Sequence, residues 1–200
     1  MILTMRPITV FTIGHSNHSL ARFLELLTSH EIDLVVDVRS HPRSTFAAQF
    51  NREHLARALT VAGRRYEFLG AELGGRPEGS VFYDEEGHVL YNRVAETDFF
   101  DAGIRRVEEE AQLGRVALMC SEEDPSGCHR RLLVSRVLAD RGATIEHIRR
   151  DGSLVDEDHL RVSFRAQTAQ TALFDDSVEA PWRSIQSVSR KRALRSSSSF

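Results

Sequence analysis

Residues 115–142 read RVALMCSEEDPSGCHRRLLVSRVLADRG, a continuous apolar run followed by a polar turn and a segment with helical spacing. The apolar run 116–119 has no polar alternation, which is typical of a strand covered on both faces. The helical segment begins near Cys128 and ends at Gly142, since Gly commonly terminates helices. A buried strand followed by a helix is the repeating unit of an α/β sheet.

The same unit recurs on both sides of this stretch. Strands are predicted at ITVFTIG (8–14), IDLVVDVRS (32–40), RYEFLG (65–70) and ATIEHIRR (143–150), and helices at 19–31, 51–63 and 95–114. This β-α-β-α-β-α-β-α-β order predicts an open, mainly parallel, Rossmann-like sheet with helices on both faces.

The chain divides near residue 150 by composition. Residues 1–150 form the predicted α/β domain, with a Gly-rich insertion at about 71–92. Residues 151–200 are polar and predict a flexible tail. Its closing segment is basic and has no acidic residue after Glu179, so it is suited to contact phosphates.

Composition limits the class of protein. With 200 residues and 41% hydrophobic content the chain can bury a sizeable core, and the net charge of -3 leaves room for a local basic patch. No run of 18 apolar residues is present, and the first 16 residues lack a secretory signal. We therefore expect no membrane span and a cytoplasmic location, where both cysteines are reduced thiols.

Polar and reactive residues follow the predicted strand ends. Ligands of open parallel sheets bind beyond the carboxyl ends of the strands, so these residues predict one active-site crevice. The candidate catalytic residues are His15, Asp37, Cys120, Glu122 and His129, and the candidate substrate-binding residues are Gly14, Ser16, Arg39, Ser40, Ser44, Tyr66, Gly74, Cys128 and Arg130.

Several of these residues suit an anion-binding site. Asp37 or Glu122 can transfer protons, and His15, Arg39 and Arg130 can stabilise negative charge. Exposed N–H groups at the start of the helix near Cys128 would add to an anion pocket. The structural alternatives are a buried partnership between Asp37 and Arg39, a hydrogen-bonded core histidine, and surface ion pairs of Arg130 with the acidic triplet.

The two cysteines allow three interpretations. Cys120 ends a strand before a loop and a helix, the layout of rhodanese-like sulfurtransferases and thiol phosphatases, although the adjacent acidic triplet would raise its pKa. A buried, unreactive Cys120 is the second interpretation. Zinc bound by Cys120, Cys128 and His129 is the third; the spacing C-x7-C-H is not a familiar zinc pattern, so no metal is favoured and the cofactor stays open.

Four ordered segments resemble one family. TIGHS (12–16), VVDVRSHPRS (35–44), YEFLGAELGG (66–75) and ALMCSEEDPSGCHR (117–130) resemble the signatures of the family catalogued as domain of unknown function 488. The resemblance implies an α/β fold but names no reaction. It also implies a shared site at Gly14, His15, Ser16, Asp37, Arg39, Ser44, Cys120, Glu122, Cys128, His129 and Arg130.

The tail contains a short partner-binding candidate. Residues 170–174, QTALF, resemble the Q-x-x-L-F motif with which bacterial repair and replication proteins bind the sliding clamp. Leu173 and Phe174 would fill an apolar pocket and Gln170 would set the register by hydrogen bonding. The alternative is an amphipathic element that folds back onto the domain.

These observations lead to one main functional hypothesis. We expect a hydrolase or transferase that acts on a nucleic acid or nucleotide, in DNA maintenance or repair. A thiol-dependent or metal-dependent enzyme on a small substrate is the alternative, as is a nucleotide-binding module without catalysis.

Overall fold

The computed structural model describes residues 7–160 and 182–187, which form an α/β fold around a six-stranded sheet. This confirms the predicted fold class. The strands are β1 (Thr9–Gly14), β2 (Leu34–Asp37), β3 (Arg65–Phe68), β4 (Val116–Cys120), β5 (Thr144–Ile148) and β6 (Leu154–Asp156).

The strand order across the sheet is β3-β2-β4-β1-β5-β6. Neighbouring strands from β3 to β5 are parallel, and only β6 runs antiparallel, with Leu154 opposite Ile148. The β6 strand lies in the segment that we interpreted as the start of the polar tail. Three residues are too few to show a period of two, so sequence periodicity did not reveal this edge strand.

Helices cover both faces of the sheet. They are α1 (Leu20–Ser29), α2 (Arg52–Val61), α3 (Tyr91–Ala95), α4 (Asp98–Leu113), a π-helical turn (Arg130–Ser135) and α5 (Arg136–Asp140). On one face Phe23 of α1 and Leu55 of α2 pack against Phe11 and Ile13 of β1. On the other face α4, the π-helical turn and α5 pack against the alternate strand residues, such as Val10.

Residues 182–187, hereafter the C-terminal strap, pack onto the insertion. The backbone N–H of Tyr91 donates to the Trp182 carbonyl at 2.9 Å, and Leu90 forms a β-bridge with Arg183. The side-chain hydroxyl of Ser184 accepts from the N–H of Val89 at 2.9 Å. This part of the predicted tail therefore belongs to the folded domain.

Gln170, Leu173 and Phe174 lie outside the described residues, so the clamp-binding interpretation stays a prediction. Among the helices that the structure describes, none has the length and apolar character needed to cross a membrane.

Candidate functional site

A cavity of about 550 Å³ lies beyond the carboxyl ends of β2 and β4. These strands are neighbours, but the chain leaves β2 toward the face covered by α2 and leaves β4 toward the face covered by α5. Such switch points are where ligands bind in open α/β sheets. The cavity is lined by Arg39, Ser40, His41, Arg43, Gly75, Arg76, Tyr91, Cys120, Ser121, Glu122, Gly127, His129, Ser184 and Gln186.

Cys120, Cys128 and His129 form a cluster that opens into this cavity. The Nδ1 atom of His129 lies 3.8 Å from Sγ of Cys120 and 4.0 Å from Sγ of Cys128. Both cysteines are buried, and neither forms a disulfide. Cys120 ends β4 and His129 immediately precedes the π-helical turn, so regular elements flank the cluster on both sides.

The orientation of His129 is set by the backbone. Its Nε2–H donates to the carbonyl of Val38 at 2.9 Å, so Nδ1 is the ring atom directed toward the sulfurs. Gly75 lies beside the ring, where a Cβ atom would be 2.6 Å from Cγ of His129. Burial lowers the pKa of His129, but the negative charge of Cys120 and a hydrogen bond with it outweigh burial and raise the pKa above its ordinary value.

The two thiols differ in acidity. A hydrogen bond from Cys128, followed by the charge of His129, holds the pKa of the Cys120 thiol below its ordinary value, whereas burial raises the pKa of Cys128. We expected the acidic triplet to have the opposite effect on Cys120. The structure directs Glu123 away, into a two-point ion pair with Arg149 at 3.0 and 3.1 Å.

Arg39, which lines the cavity, forms a buried ion pair with Asp37, which does not. The carboxylate of Asp37 accepts from Nε and Nη2 of Arg39 at 2.8 and 2.6 Å and from the hydroxyl of Tyr66 at 2.8 Å. Nη1 of Arg39 donates to Nε2 of His15 at 3.0 Å. Burial, with the adjacent charge of Arg39, lowers the pKa of His15. His15 is therefore a neutral acceptor that orients Arg39, and it does not line the cavity.

Arg130 does not line the cavity and is therefore not placed to bind a substrate there. Its side chain is fully buried and donates to the backbone carbonyls of Glu122 and Glu123 and to the hydroxyl of Thr12. Arg130 therefore holds the loop that follows β4 and does not reach the cavity. Instead of contributing to the anion pocket expected at the start of this helix, the Arg130 side chain binds the chain's own carbonyl groups.

The remaining predicted residues support the cavity or lie outside it. Gly14 allows the backbone at Glu122 to approach, because a Cβ atom there would overlap the Glu122 carbonyl. Ser44 accepts from the N–H groups of Phe46 and Ala47 and thus stabilises its own loop. Ser16 is not among the residues that line the cavity. Tyr66 contacts Asp37, and Gly74 packs beside Ser40.

Sequence reasoning missed several lining residues. Arg76 belongs to the GGRPEG stretch of the insertion, and its N–H donates to the hydroxyl of Ser40 at 2.9 Å. The position of Arg76, a cationic residue within a Gly-rich insertion, was the sequence signal that could have identified it. Ser184 and Gln186 belong to the C-terminal strap, and no local pattern marks them.

The fold and this cluster define an α/β domain with a thiol- and imidazole-containing centre at the carboxyl edge of its sheet. The chain belongs to the family described as Domain of unknown function DUF488, whose family model matches residues 19–137. Comparisons with curated proteins and with solved structures gave no match. The family match ends before the C-terminal strap, although the strap contributes to the cavity.

Proposed function

We propose that this protein is an enzyme that acts on a phosphate-containing substrate of nucleotide size. The cluster of Cys120, Cys128 and His129 is its reactive centre. The observation that carries the proposal is that this cluster opens into a cavity with cationic side chains on its rim. The volume of about 550 Å³ is within the range of about 300 to 1,000 Å³ that is typical of small-molecule sites.

Two exposed arginines on the rim are suited to bind phosphate. Arg76 is exposed and has no ion pair within residues 7–160 and 182–187. Arg43 pairs with Glu53 at 3.0 Å, but the two side chains are 78% and 57% exposed. Such a surface pair contributes at most about 1 kcal/mol. A phosphate can therefore replace Glu53 as the partner of Arg43 at little cost.

The few cations at the cavity favour a nucleotide over a duplex. Its exposed arginines are Arg43 and Arg76, whereas binding to duplex DNA depends on many phosphate contacts from basic side chains. A free nucleotide, or the end of a single strand, needs only the few cations on the rim. The reaction is then a hydrolysis or a transfer at the bound phosphate compound.

The test combines binding and turnover. Nucleoside mono-, di- and triphosphates and a short single-stranded DNA are titrated by calorimetry, and products are separated by chromatography. We expect Arg76→Ala to weaken binding at least about tenfold, which is ~1.4 kcal/mol. Arg105→Ala, an exposed arginine on α4 that does not line the cavity, is the matched control and retains affinity.

The outcomes separate the functional classes. Loss of turnover with retained binding in Cys120→Ser supports an enzyme centred on the cluster. Binding without turnover in the parent protein supports a nucleotide-binding module. Equal affinities of Arg76→Ala and Arg105→Ala would show that the cavity is not the binding site.

A thiol-dependent reaction is the second candidate, because Cys128 and His129 favour the thiolate form of Cys120. Iodoacetamide labelling of the native protein, followed by mass spectrometry, tests it. Rapid labelling of Cys120 alone supports a nucleophilic role, since a reactive thiolate must be accessible.

We propose DNA maintenance as the cellular role, on the basis of residues 170–174. A peptide covering these residues is expected to bind a bacterial sliding clamp with a dissociation constant of about 1 μM. Replacing Leu173 and Phe174 by Ala removes the two apolar anchors and abolishes binding. Absence of binding by the parent peptide removes this proposal without affecting the proposed enzyme.

A further inference from the structure

We infer that Cys120, Cys128 and His129 bind one zinc ion, with an open coordination position directed into the cavity. The inference deepens the proposed function, because it names the cofactor of the same centre. Three protein ligands with an open position are the arrangement of catalytic zinc sites, whereas structural sites use four protein ligands.

The spacing of the three ligand atoms fits a single ion. The two sulfurs and Nδ1 of His129 all lie within 4.8 Å of one another. Zinc bonds are about 2.3 Å to sulfur and about 2.0 Å to nitrogen, so a nitrogen and a sulfur ligand of one ion are at most about 4.3 Å apart. The Nδ1-to-sulfur distances of 3.8 and 4.0 Å are both below this limit.

The surroundings of His129 are those of a metal ligand. Metal-binding histidines usually donate their second ring N–H to a carbonyl or carboxylate, and here Nε2–H donates to the Val38 carbonyl at 2.9 Å. Because this bond occupies Nε2, Nδ1 is the ring nitrogen that is left to bind a metal. Gly75 allows the ring to lie here, because a Cβ atom at residue 75 would overlap it.

A bound metal explains the position of Cys128 beside Cys120 better than a mechanism with a nucleophilic cysteine does. Cys128 is only 1% exposed and does not line the cavity, so a substrate cannot reach it directly. A nucleophilic mechanism needs a single accessible thiol. A zinc site instead uses both sulfurs, and a buried Cys128 can be a ligand without contacting the substrate.

The open position faces the substrate. The described ranges, 7–160 and 182–187, add no fourth His, Cys, Asp or Glu to the cluster. Cys120 and His129 both line the cavity, so a water molecule or a phosphate oxygen can reach the remaining position. Zinc in such a site acts as a Lewis acid toward a phosphoryl oxygen or lowers the pKa of bound water. Two thiolates with one imidazole favour zinc over magnesium or calcium, which prefer oxygen ligands.

The test begins with the metal content of the full-length protein purified without chelators. We expect about one zinc per chain by elemental mass spectrometry. The metal should be lost in Cys120→Ser, Cys128→Ser and His129→Ala. Ser126→Ala, in the same loop but outside the lining of the cavity, is the matched control and keeps its zinc. Circular dichroism checks the folding of each variant.

Cobalt provides a measurement on the parent sequence that does not depend on any variant. After removal of metal by a chelator, Co²⁺ titration should give thiolate-to-cobalt absorption that saturates at one ion per chain. The bound ion should protect both cysteines from iodoacetamide. A folded protein that holds no zinc, gives no thiolate-to-cobalt absorption and is alkylated at the same rate with and without metal would overturn the inference.

The same experiments test the proposed function separately from the zinc site. Nucleotide turnover by metal-free protein overturns the role of zinc as the cofactor of this centre and leaves the enzyme proposal standing. A protein that holds zinc at these three residues, but binds no phosphate compound, supports the site and removes the proposed substrate class.

Discussion

Gly75 lies directly against the imidazole ring of His129: a Cβ atom at residue 75 would be 2.6 Å from Cγ of that ring. Real Cβ atoms essentially never make such a contact, so the ring or the backbone at residue 75 must shift if a larger residue replaces Gly75. The insertion between β3 and α3 thus controls the position of a residue that follows β4.

Gly75→Ala should therefore impair the reactive cluster. We expect zinc affinity, measured by competition with a chelator, to fall about 10- to 100-fold, as it does when the outer partners of metal ligands are changed. Gly127→Ala is the matched control, because a Cβ atom there meets nothing within 4 Å. Equal affinities in the two variants would contradict the prediction.

Asp37→Asn should destabilise the fold strongly. Asp37 is fully buried and Arg39 is 5% exposed, so the substitution leaves a buried guanidinium without its carboxylate. Losing one partner of a buried pair costs about 3 to 5 kcal/mol of unfolding free energy. Urea unfolding measures this loss, and Glu53→Gln, in the exposed pair with Arg43, should cost at most about 1 kcal/mol. A loss in Asp37→Asn no larger than in Glu53→Gln would argue against a structural ion pair.

Trp182→Ala should release the C-terminal strap. The indole Nε1–H donates to the Leu132 carbonyl at 2.7 Å, and the guanidinium of Arg136 lies 4.3 Å from the ring centre. Without this anchor, the amides of Val89 and Tyr91 should exchange hydrogen at least about tenfold faster, because the strap supplies their acceptors.

Ile185→Ala is the control for the strap, since Ile185 is 50% exposed and should leave exchange at both amides unchanged. Nucleotide affinity should also fall in Trp182→Ala, because Ser184 and Gln186 line the cavity. Unchanged exchange in Trp182→Ala would show that the strap is held by its other contacts.

Stability should fall as pH decreases from 7.5 to 5.5, in part because of His147. This fully buried ring accepts from the Thr12 hydroxyl at 2.7 Å and donates to Glu157 at 2.9 Å. Burial, together with the charges of Arg130 and Arg131, lowers the pKa of His147. The unfolded chain, with an ordinary histidine pKa of about 6.5, thus binds the proton first, and the folded state loses stability as pH falls.

Urea unfolding of the parent and of His147→Gln at both pH values measures this effect. One proton accounts for at most about 1.4 kcal/mol over this interval, and the variant should lose that part of the pH dependence. Other histidines titrate in both proteins, so only the difference between them is attributed to His147. The same pH dependence in both proteins would contradict the prediction.

The strands and helices were predictable because burial leaves a recognisable pattern of apolar residues in the sequence. The continuous apolar runs of β2 and β4 follow from their cover on both faces, and Ser19 does cap α1, accepting from the Arg22 N–H at 3.1 Å. Strand ends are visible in the same pattern. The sequence alone therefore determined the α/β class and the edge of the sheet at which Arg39, Cys120 and His129 meet.

Only the tertiary structure decided which of these residues face the cavity. Arg39 and Arg130 both suited an anion site in the sequence, yet only Arg39 of the two lines the cavity. Arg130 is buried, and its side chain donates to the Thr12 hydroxyl and to carbonyl groups of the loop after β4. A guanidinium offers five donors, and no local pattern shows whether distant groups already use them.

The same limit applies to the parts of the site that come from distant segments. Gly75 meets His129 across 54 positions, and Ser184 meets Val89 across 95. Such contacts arise from the strand order and from the return of the strap to the insertion, which depend on packing of the whole domain and leave no periodic trace in the sequence. The chain's local patterns determined its strands and helices, whereas the cavity was decided by how those elements assemble.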